Sequence, residues 1–362
     1  MSEALPSFLG FPDWAPERLL DVVDLAADLK GGRARGHLGG RVVVLYFMNP
    51  SLRTRASLEA GVARLGGSTV TLDAGAGGVW GLEHEDGVPM LGGPAEHVRE
   101  AARVLSRYGD AIGVRAFARF KRWEEDKAEP LLRAFARHAT VPVFSLEGSC
   151  RHPLQGLADA LTLRERLGDP RGKKLVLTWA PHPKPLPMAV PNSVVEAGAL
   201  LGMRVTVARP PEFGLDPELL AEARALARAR GGDVEETDDR AAALAGAEVV
   251  YAKSWGALGC YGDVEQEGIA RARAGARWTV RPADLEPAAS PSGQTGAGAL
   301  FMHCLPVRRN VVVEDAVLDG PRSVVVQQAE NRMWTAQALL LRLLGGGVAR
   351  PTPRPDDGPL YA

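Results

Sequence analysis

The stretch that most constrains the fold is Val42-Val43-Val44-Leu45-Tyr46-Phe47-Met48, followed at once by Asn49-Pro50-Ser51-Leu52-Arg53-Thr54-Arg55. The first seven residues are apolar on both faces, the pattern of a strand buried on both sides in a parallel sheet. Residues 56–65 then carry apolar side chains three and four apart, which predicts a helix. The turn between them must deliver the chain from a buried strand to a helix N-terminus. Ser51 is a good N-cap, and the unpaired N–H groups behind it, with Arg53, Thr54 and Arg55, make a site for an anion such as phosphate. A surface turn with a cap and two solvated arginines is the competing reading, and the rest of the chain decides between them.

The alternation of strand and helix continues. An amphipathic helix is predicted over residues 16–29, strands at 68–72, 110–115 and 141–146, and helices over 95–108 and 123–137. Residues 73–94 are glycine-rich and read as a long loop with Trp80 exposed in the middle. A long helix from Pro153 to Leu167 leaves this set. A second set follows, with strands at 175–180, 203–207, 248–252 and 299–303, and helices over 191–201 and 217–230. The expectation is an α/β fold of two doubly wound parallel-sheet domains, joined by the helix from Pro153, with a C-terminal helix packing back on the first domain. The expected boundaries are 1–152, 153–328, a returning helix within 329–344 whose periodic part is 331–344, and a frayed glycine- and proline-rich tail over 345–362. In such sheets ligands bind beyond the carboxyl ends of the strands, where the Ser51 turn, Arg115 and the segment from Glu147 to His152 can meet.

Composition narrows the function. Of 362 residues, 46% are hydrophobic and 24% charged, and the net charge is -1, so no basic surface for nucleic acid is implied. The anion turn then serves a small molecule. Cys150, Cys260 and Cys304 are odd in number and show no C-x-x-C spacing, which argues against disulfides or structural zinc and suits a reducing cytoplasm. The N-terminus shows neither a basic segment nor an apolar core of a signal peptide, and no apolar run is long enough to span a membrane.

Four further segments could carry chemistry. His152-Pro153-Leu154-Gln155 opens the long helix, with His152 and Gln155 on one face; both can donate to a carbonyl oxygen, or the histidine is simply satisfied at a capped end. Trp179-Ala180-Pro181-His182-Pro183-Lys184-Pro185-Leu186-Pro187 is a stiff loop that either aims His182 and Lys184 at a ligand or only connects. No G-x-G-x-x-G stands there, which speaks against a dinucleotide site. Lys253 ends a strand and can pair with a substrate carboxylate or stay solvated. His303 and Cys304 are strand neighbours and so face opposite ways, a poor thiol–imidazole dyad. A turn at Pro306 would instead expose the Cys304 and Leu305 carbonyls as acceptors for an amine or amide N–H. Glu330-Asn331-Arg332 begins the last predicted helix and reads, by itself, as a capping segment.

Taken together, Ser51-Leu52-Arg53-Thr54-Arg55, His152-Pro153-Leu154-Gln155 and His303-Cys304-Leu305-Pro306 resemble, in order and spacing, the signatures of the aspartate/ornithine carbamoyltransferase family, over nearly the whole chain to Leu344. Within it the chain resembles the N-acylornithine branch. Tyr251-Ala252-Lys253-Ser254-Trp255-Gly256 stands where enzymes for free ornithine carry Asp-x-x-x-Ser-Met-Gly, and the His-Pro-Lys-Pro loop and Trp80 match that branch. The resemblance implies a homotrimer with active sites shared between subunits, no metal and no organic cofactor. It implies that Ser51, Leu52, Arg53 and Thr54 hold the phosphate of carbamoyl phosphate, with Arg332 completing the pocket. Arg115, His152 and Gln155 bind its carbonyl and phosphate oxygens, with Pro153 and Leu154 in the same segment. Cys304 and Leu305 contribute carbonyls, and Trp80 reaches a neighbouring subunit's site. Glu147, His182, Lys253 and Arg308 face the acylated amino acid.

The acyl group follows from Ala95. Acetylornithine-type enzymes place a glutamate just before the Glu-His pair that is here Glu96-His97, and succinylornithine-type enzymes do not. A glutamate would repel the extra succinyl carboxylate, so Ala95 favours succinyl over acetyl; the stretch from Arg151 to Gln155, with arginine before the His-Pro-Leu-Gln, also resembles the succinyl type. Val312 stands where acetyl-type enzymes can carry a lysine. The implied activity is carbamoyl transfer to the δ-amine of an N-acyl-L-ornithine in arginine biosynthesis. The alternatives are an acetylornithine-specific enzyme, an ornithine carbamoyltransferase, and a catalytically silent relative that only binds or assembles.

Overall fold

The computed structural model of the chain describes residues 7–74, 78–286 and 298–349. One parallel sheet contains β1 (Val42–Phe47), β2 (Ser68–Asp73), β3 (Ala111–Arg115) and β4 (Val143–Glu147), in the order β2-β1-β3-β4. The winding reverses between β1 and β3, which opens a crevice beyond their carboxyl ends. Phe47 pairs with Arg115 across that reversal, so the Ser51 turn and the cation closing β3 emerge side by side. A second parallel sheet contains β5 (Lys174–Trp179), β6 (Arg204–Ala208), β7 (Asp233–Thr237), β8 (Val249–Lys253) and β9 (Leu300–Met302), in the order β7-β6-β5-β8-β9. Here the reversal lies between β5 and β8, where Trp179 pairs with Lys253. Each sheet therefore offers one crevice, and each crevice is flanked by predicted site residues.

The helices used below are α1 (Pro16–Lys30), α2 (Leu52–Arg64), α3 (Pro153–Leu167), α4 (Ala189–Leu200), α5 (Pro217–Ala229) and α6 (Val325–Leu344). α3 packs on α1 and α4, and α6 packs on α1, α2 and α3. One hydrophobic core runs through these helices, from Leu19 and Leu45 past Leu157 and Leu339 to Leu177 and Met302. The crevices are thus held on a shared apolar spine. Among the described residues no helix is long and apolar enough to cross a membrane.

Several elements differ from expectation. The helix predicted from Ala95 starts at Val98; Glu96–His97 instead pair with Leu82–Glu83, and the His97 ring accepts from Arg99 N as the cap. The single helix predicted over 123–137 is two, Trp123–Lys127 and Pro130–His138, because Pro130 lacks an N–H and Glu129 before it takes φ 46°. α6 begins at Val325, not Asn331, because buried Gln328 interrupts the apolar periodicity of its first turns. The tail is not frayed at its start: Gly347–Ala349 pair antiparallel with Arg35–His37. Its residues 350–362 lie outside the described residues. β7 and the helix Val264–Ala274 were too polar to stand out.

Candidate active site

Ser51 caps α2: its Oγ accepts from Thr54 N at 3.3 Å, leaving the first N–H groups of the helix facing the crevice. Arg53, Thr54, Arg115, Glu147, His152, Gln155 and Arg332 surround this helix end in a cavity of about 280 Å³. Arg115 Nη1 pairs with Glu147 Oε2 at 2.6 Å, and both are buried. Arg332 Nη2 donates to Thr54 Oγ1 at 2.6 Å and Nη1 to Gln155 Oε1 at 3.3 Å. The Nε–H groups of Arg53, Arg115 and Arg332 have no partner among the described residues. Among the described residues Glu147 is the sole carboxylate on the cavity wall facing these three guanidinium groups, so the site is built for an anion. Arg55 belongs elsewhere: it turns to Glu59 and Asp73 on the surface.

The second sheet closes the cavity with His182, Leu186, Val190, Lys253, Ser254, His303, Cys304, Leu305 and Arg308. Arg308 Nε donates to His182 Nε2 at 3.0 Å, and His182 Nδ1 lies 2.8 Å from Lys184 O. Burial, together with Arg308 and Lys253, keeps the His182 pKa below the ordinary value. No carboxylate pairs with Lys253 among the described residues, so Lys253 and Arg308 form a second cationic patch.

Burial sets the charge states. His152 is held well below the imidazole range by desolvation, with Arg332, Arg115 and Arg53 adding to it. His303 is lowered in the same way, and its Nδ1 accepts from Leu305 N at 2.9 Å. Burial lowers Arg332 to about 10, against the pull of Glu147, so it remains a cation at neutral pH. Desolvation raises the Cys304 thiol above its usual value despite Lys253 nearby. A protonated thiol beside a neutral imidazole that is already hydrogen-bonded is no nucleophile pair. What the segment offers is its backbone: Leu305 takes φ 55° before a cis peptide to Pro306 as the chain turns at the cavity wall.

Comparison with known proteins assigns this geometry. The carbamoyl-P binding domain of the aspartate/ornithine carbamoyltransferases matches residues 7–165, and the Asp/Orn binding domain matches residues 188–343. The chain belongs to the aspartate/ornithine carbamoyltransferase family. It is 41% identical over 345 residues to N-acetylornithine carbamoyltransferase of Xanthomonas campestris pv. campestris, covering 94% of this chain and 98% of the relative. It is 40% identical over 304 residues to N-succinylornithine carbamoyltransferase of Bacteroides fragilis, covering 84% of this chain and 87% of the relative. These place it in the N-acylornithine branch. A crystal structure of an N-acetyl-L-ornithine transcarbamylase variant, with one glutamate replaced by alanine, superposes with a TM-score of 0.87 at 41% identity. It covers 93% of this chain and 99% of that one, and holds carbamyl phosphate and N-succinyl-L-norvaline.

Most residues read from the family signatures converge on the cavity, but not all. Trp80 is 57% exposed and Leu52 78% exposed, and neither lines it. Trp80 Nε1 donates to Glu96 Oε2 at 2.8 Å, beside exposed Ala95, which is likewise outside the cavity of its own chain. Leu154 packs into the core, and Pro153 opens α3 without reaching the cavity. The carbamoyltransferase signatures gave no role to Phe117, whose ring lies 4.4 Å under the Arg115 guanidinium, or to the buried trio Asp159, Tyr251 and Gln328 behind Gln155. The signal for the trio was there: Gln155 and Asp159 lie four apart on an apolar helix, as do Gln328 and Arg332.

Proposed function

We propose that this carbamoyltransferase moves the carbamoyl group of carbamoyl phosphate to the δ-amine of an N-acyl-L-ornithine, with N-succinyl-L-ornithine preferred over the acetyl compound. The observation that carries the reaction is the facing of two crevices: an anion pocket of Arg53, Arg115 and Arg332 at α2, and the Lys253–Arg308 patch opposite. The dianionic donor sits in the first and the carboxylates of the acylated amino acid face the second. The neutral δ-amine attacks the carbamoyl carbon. The C–N bond forms as the C–O bond to phosphate breaks, and the amine proton passes to the departing phosphate. The developing oxyanion is met by Arg115, Thr54 and His152; because His152 is neutral, it offers a hydrogen bond, not a proton. Arg53, Arg332 and the helix end hold the phosphate charge as it leaves. Orientation of two bound reactants supplies much of the acceleration.

The succinyl preference rests on Ala95, where a glutamate would repel the extra carboxylate. That an acetyl-type relative was crystallised with a succinylated ligand once a single glutamate was replaced supports a preference controlled by one acidic side chain. The reading further places Trp80 and Ala95 in the site of a neighbouring subunit of a homotrimer, because neither reaches the cavity of its own chain. It places the enzyme in arginine biosynthesis in the cytoplasm. Purified protein, carbamoyl phosphate and free, acetylated or succinylated ornithine assayed side by side decide the matter. The expected result is the highest kcat/KM with succinylornithine; turnover of free ornithine alone would overturn the assignment.

A further inference from the structure

The reversal between β5 and β8 opens a crevice in the second sheet, and one side chain ties together the two loops that leave it. Arg271, on the helix Val264–Ala274, pairs with Glu267 one turn earlier, with 9% and 5% of their side chains exposed. Glu267 Oε1 accepts from Arg271 Nε at 2.9 Å and from Nη2 at 2.6 Å. That pair turns the rest of the guanidinium toward the loops. Nη2 also donates to Trp255 O at 2.8 Å, and Nη1 donates to Ser254 Oγ at 3.0 Å and to His182 O at 3.4 Å. The same two loops meet once more where Gly256 N donates to Leu186 O at 3.0 Å. A buried ion pair by itself adds little stability over a well-packed apolar pair. Here the donors that Glu267 leaves over all go to residues flanking the Lys253–Arg308 patch.

We propose that Arg271 is a positioning residue for the acylated amino acid: by bridging His182, Ser254 and Trp255 it fixes where His182 stands relative to Lys253. The inference rests on the reading of the second patch given above. His182, Lys253 and Ser254 line the cavity, and Arg271 does not. The His182 ring is held by Arg308 and by the main chain of Lys184, and Arg271 holds its carbonyl. The prolines stiffen that loop internally, but only contacts between loops set its place beside β8. Lys253 is followed directly by the two residues that Arg271 grips, so its direction is set from the same point. All these bonds end on the second sheet's half of the chain, so the effect falls on one substrate. The planar fork is essential, because its donors span Glu267 and both loops at once, whereas a lysine carries its three donors on one nitrogen.

The test is steady-state kinetics on variants of the full chain, with carbamoyl phosphate and the better of the acetylated and succinylated ornithines each varied in turn. Arg271→Lys keeps a charge beside Glu267 and should raise the KM for the acylornithine about tenfold, as expected for loss of one buried hydrogen bond. The KM for carbamoyl phosphate should stay within about twofold. The double variant Glu267→Gln with Arg271→Met removes the ion pair without stranding a charge, so it should melt close to wild type and show the same selective rise. Glu267→Gln alone keeps an acceptor for the guanidinium, and both of its KM values should stay within about twofold of wild type. A residue that only held its helix in place would raise both KM values together, in step with lost stability. That result, or unchanged KM values in a double variant that melts like wild type, overturns the proposal. Should the double variant not fold, Arg271→Lys decides alone, by the same split between substrates. Variants that bind the acylornithine normally would leave the proposed function standing, since the wild type still turns it over. A wild type inactive on every acylated ornithine would remove that function, and this inference with it.

Discussion

Arg332 shows how a single residue can serve the site from the far end of the chain. Its guanidinium is buried, shares its hydrogen bonds between Thr54 and Gln155, and has an Nε–H with no partner among the described residues. A cation kept this dry needs an anion to face, and charge-assisted hydrogen bonds to phosphate are about twice as strong as neutral ones. Arg332→Ala should therefore raise the KM for carbamoyl phosphate about a hundredfold, as expected for loss of roughly 3 kcal/mol of binding. The KM for the acylated amino acid should stay within about threefold, since Arg332 lies with the anion half. Steady-state kinetics with each substrate varied in turn separate the two. A second residue-scale consequence concerns acid. His152 and His303 are neutral in the fold, with pKa values well below 6.5, whereas in the unfolded chain each titrates near 6.5. Below that pH the unfolded state binds more protons, so stability falls as pH drops and is recovered as pH rises toward 6.5. Each histidine contributes a slope of up to about 1.4 kcal/mol per pH unit in that window. His303→Asn keeps an acceptor for Leu305 N but cannot titrate, so its thermal midpoint should fall less steeply than wild type between pH 7 and pH 5, about one proton's worth. Parallel melting curves would sink the assignment.

At the scale of elements, the cap of α5 joins the two sheets. Asp216 Oδ1 accepts from Glu218 N at 2.9 Å and Leu219 N at 3.1 Å, and its Oδ2 accepts from the Trp123 indole at 2.6 Å. Nearby, Tyr261 OH donates to Asp126 Oδ2 at 2.7 Å and Lys127 Nζ pairs with Asp216 and Glu218, so several polar contacts tie the helix Trp123–Lys127 to the second sheet's loops. Asp216→Ala removes a cap and strands a buried indole N–H, a combined cost of about 2–4 kcal/mol. Asp216→Asn can still cap through its one oxygen but turns an –NH2 toward the Trp123 indole N–H, so it should be about 1 kcal/mol less damaging than the alanine variant. Thermal melts and limited proteolysis of the two variants rank them; equal loss in both would show that charge, not capping, matters. This element also marks where the sequence stops being legible. β1 and β8 stood out because residues buried on both faces leave an unbroken apolar run, and the Ser51 turn stood out because its neighbours on each side were unambiguous. Glu129 and Pro130 carried a readable break that apolar periodicity alone overrode. β7 was hidden because an edge strand exposes its carboxylates, so its sequence Asp-Val-Glu-Glu-Thr has no apolar face to follow. The site was readable where residues touch the cavity through short motifs. Its support was not: Asp159, Gln328 and Tyr251 lie on three elements and meet only through packing of α3, α6 and β8.

At the scale of the whole molecule, some residues of the proposed site lie away from the cavity of their own chain. Trp80, Ala95 and Leu52 present themselves outward, together with Val70, Leu91 and Tyr108, which are 41%, 95% and 67% exposed. Exposed apolar side chains on the half of the chain that carries the anion turn are what a second copy can cover, and the trimer proposed above would bring Trp80 and Ala95 to the neighbour's cavity. Ala95→Glu should then shift the ratio of kcat/KM from succinylornithine toward acetylornithine by at least tenfold, by placing a like charge near the succinyl carboxylate; an unchanged ratio would reject the placement. Sharing can be tested without any change of substrate. Arg53→Ala and Trp80→Ala chains should each form nearly inactive trimers. If each site takes Arg53 from one subunit and Trp80 from the next, random mixing after dissociation restores about one site in four, since the Arg53 donor and the Trp80 donor must each be intact in the right place. If both residues acted within one chain, every site in the mixture would carry one defect or the other, and no activity would return. The recovered activity should track dissociation and reassembly, remaining absent when the two intact trimers are simply combined. Recovery therefore reads out geometry across a subunit boundary, and its absence after verified subunit exchange would confine the active site to a single chain and leave the exposed Trp80 without a role in it.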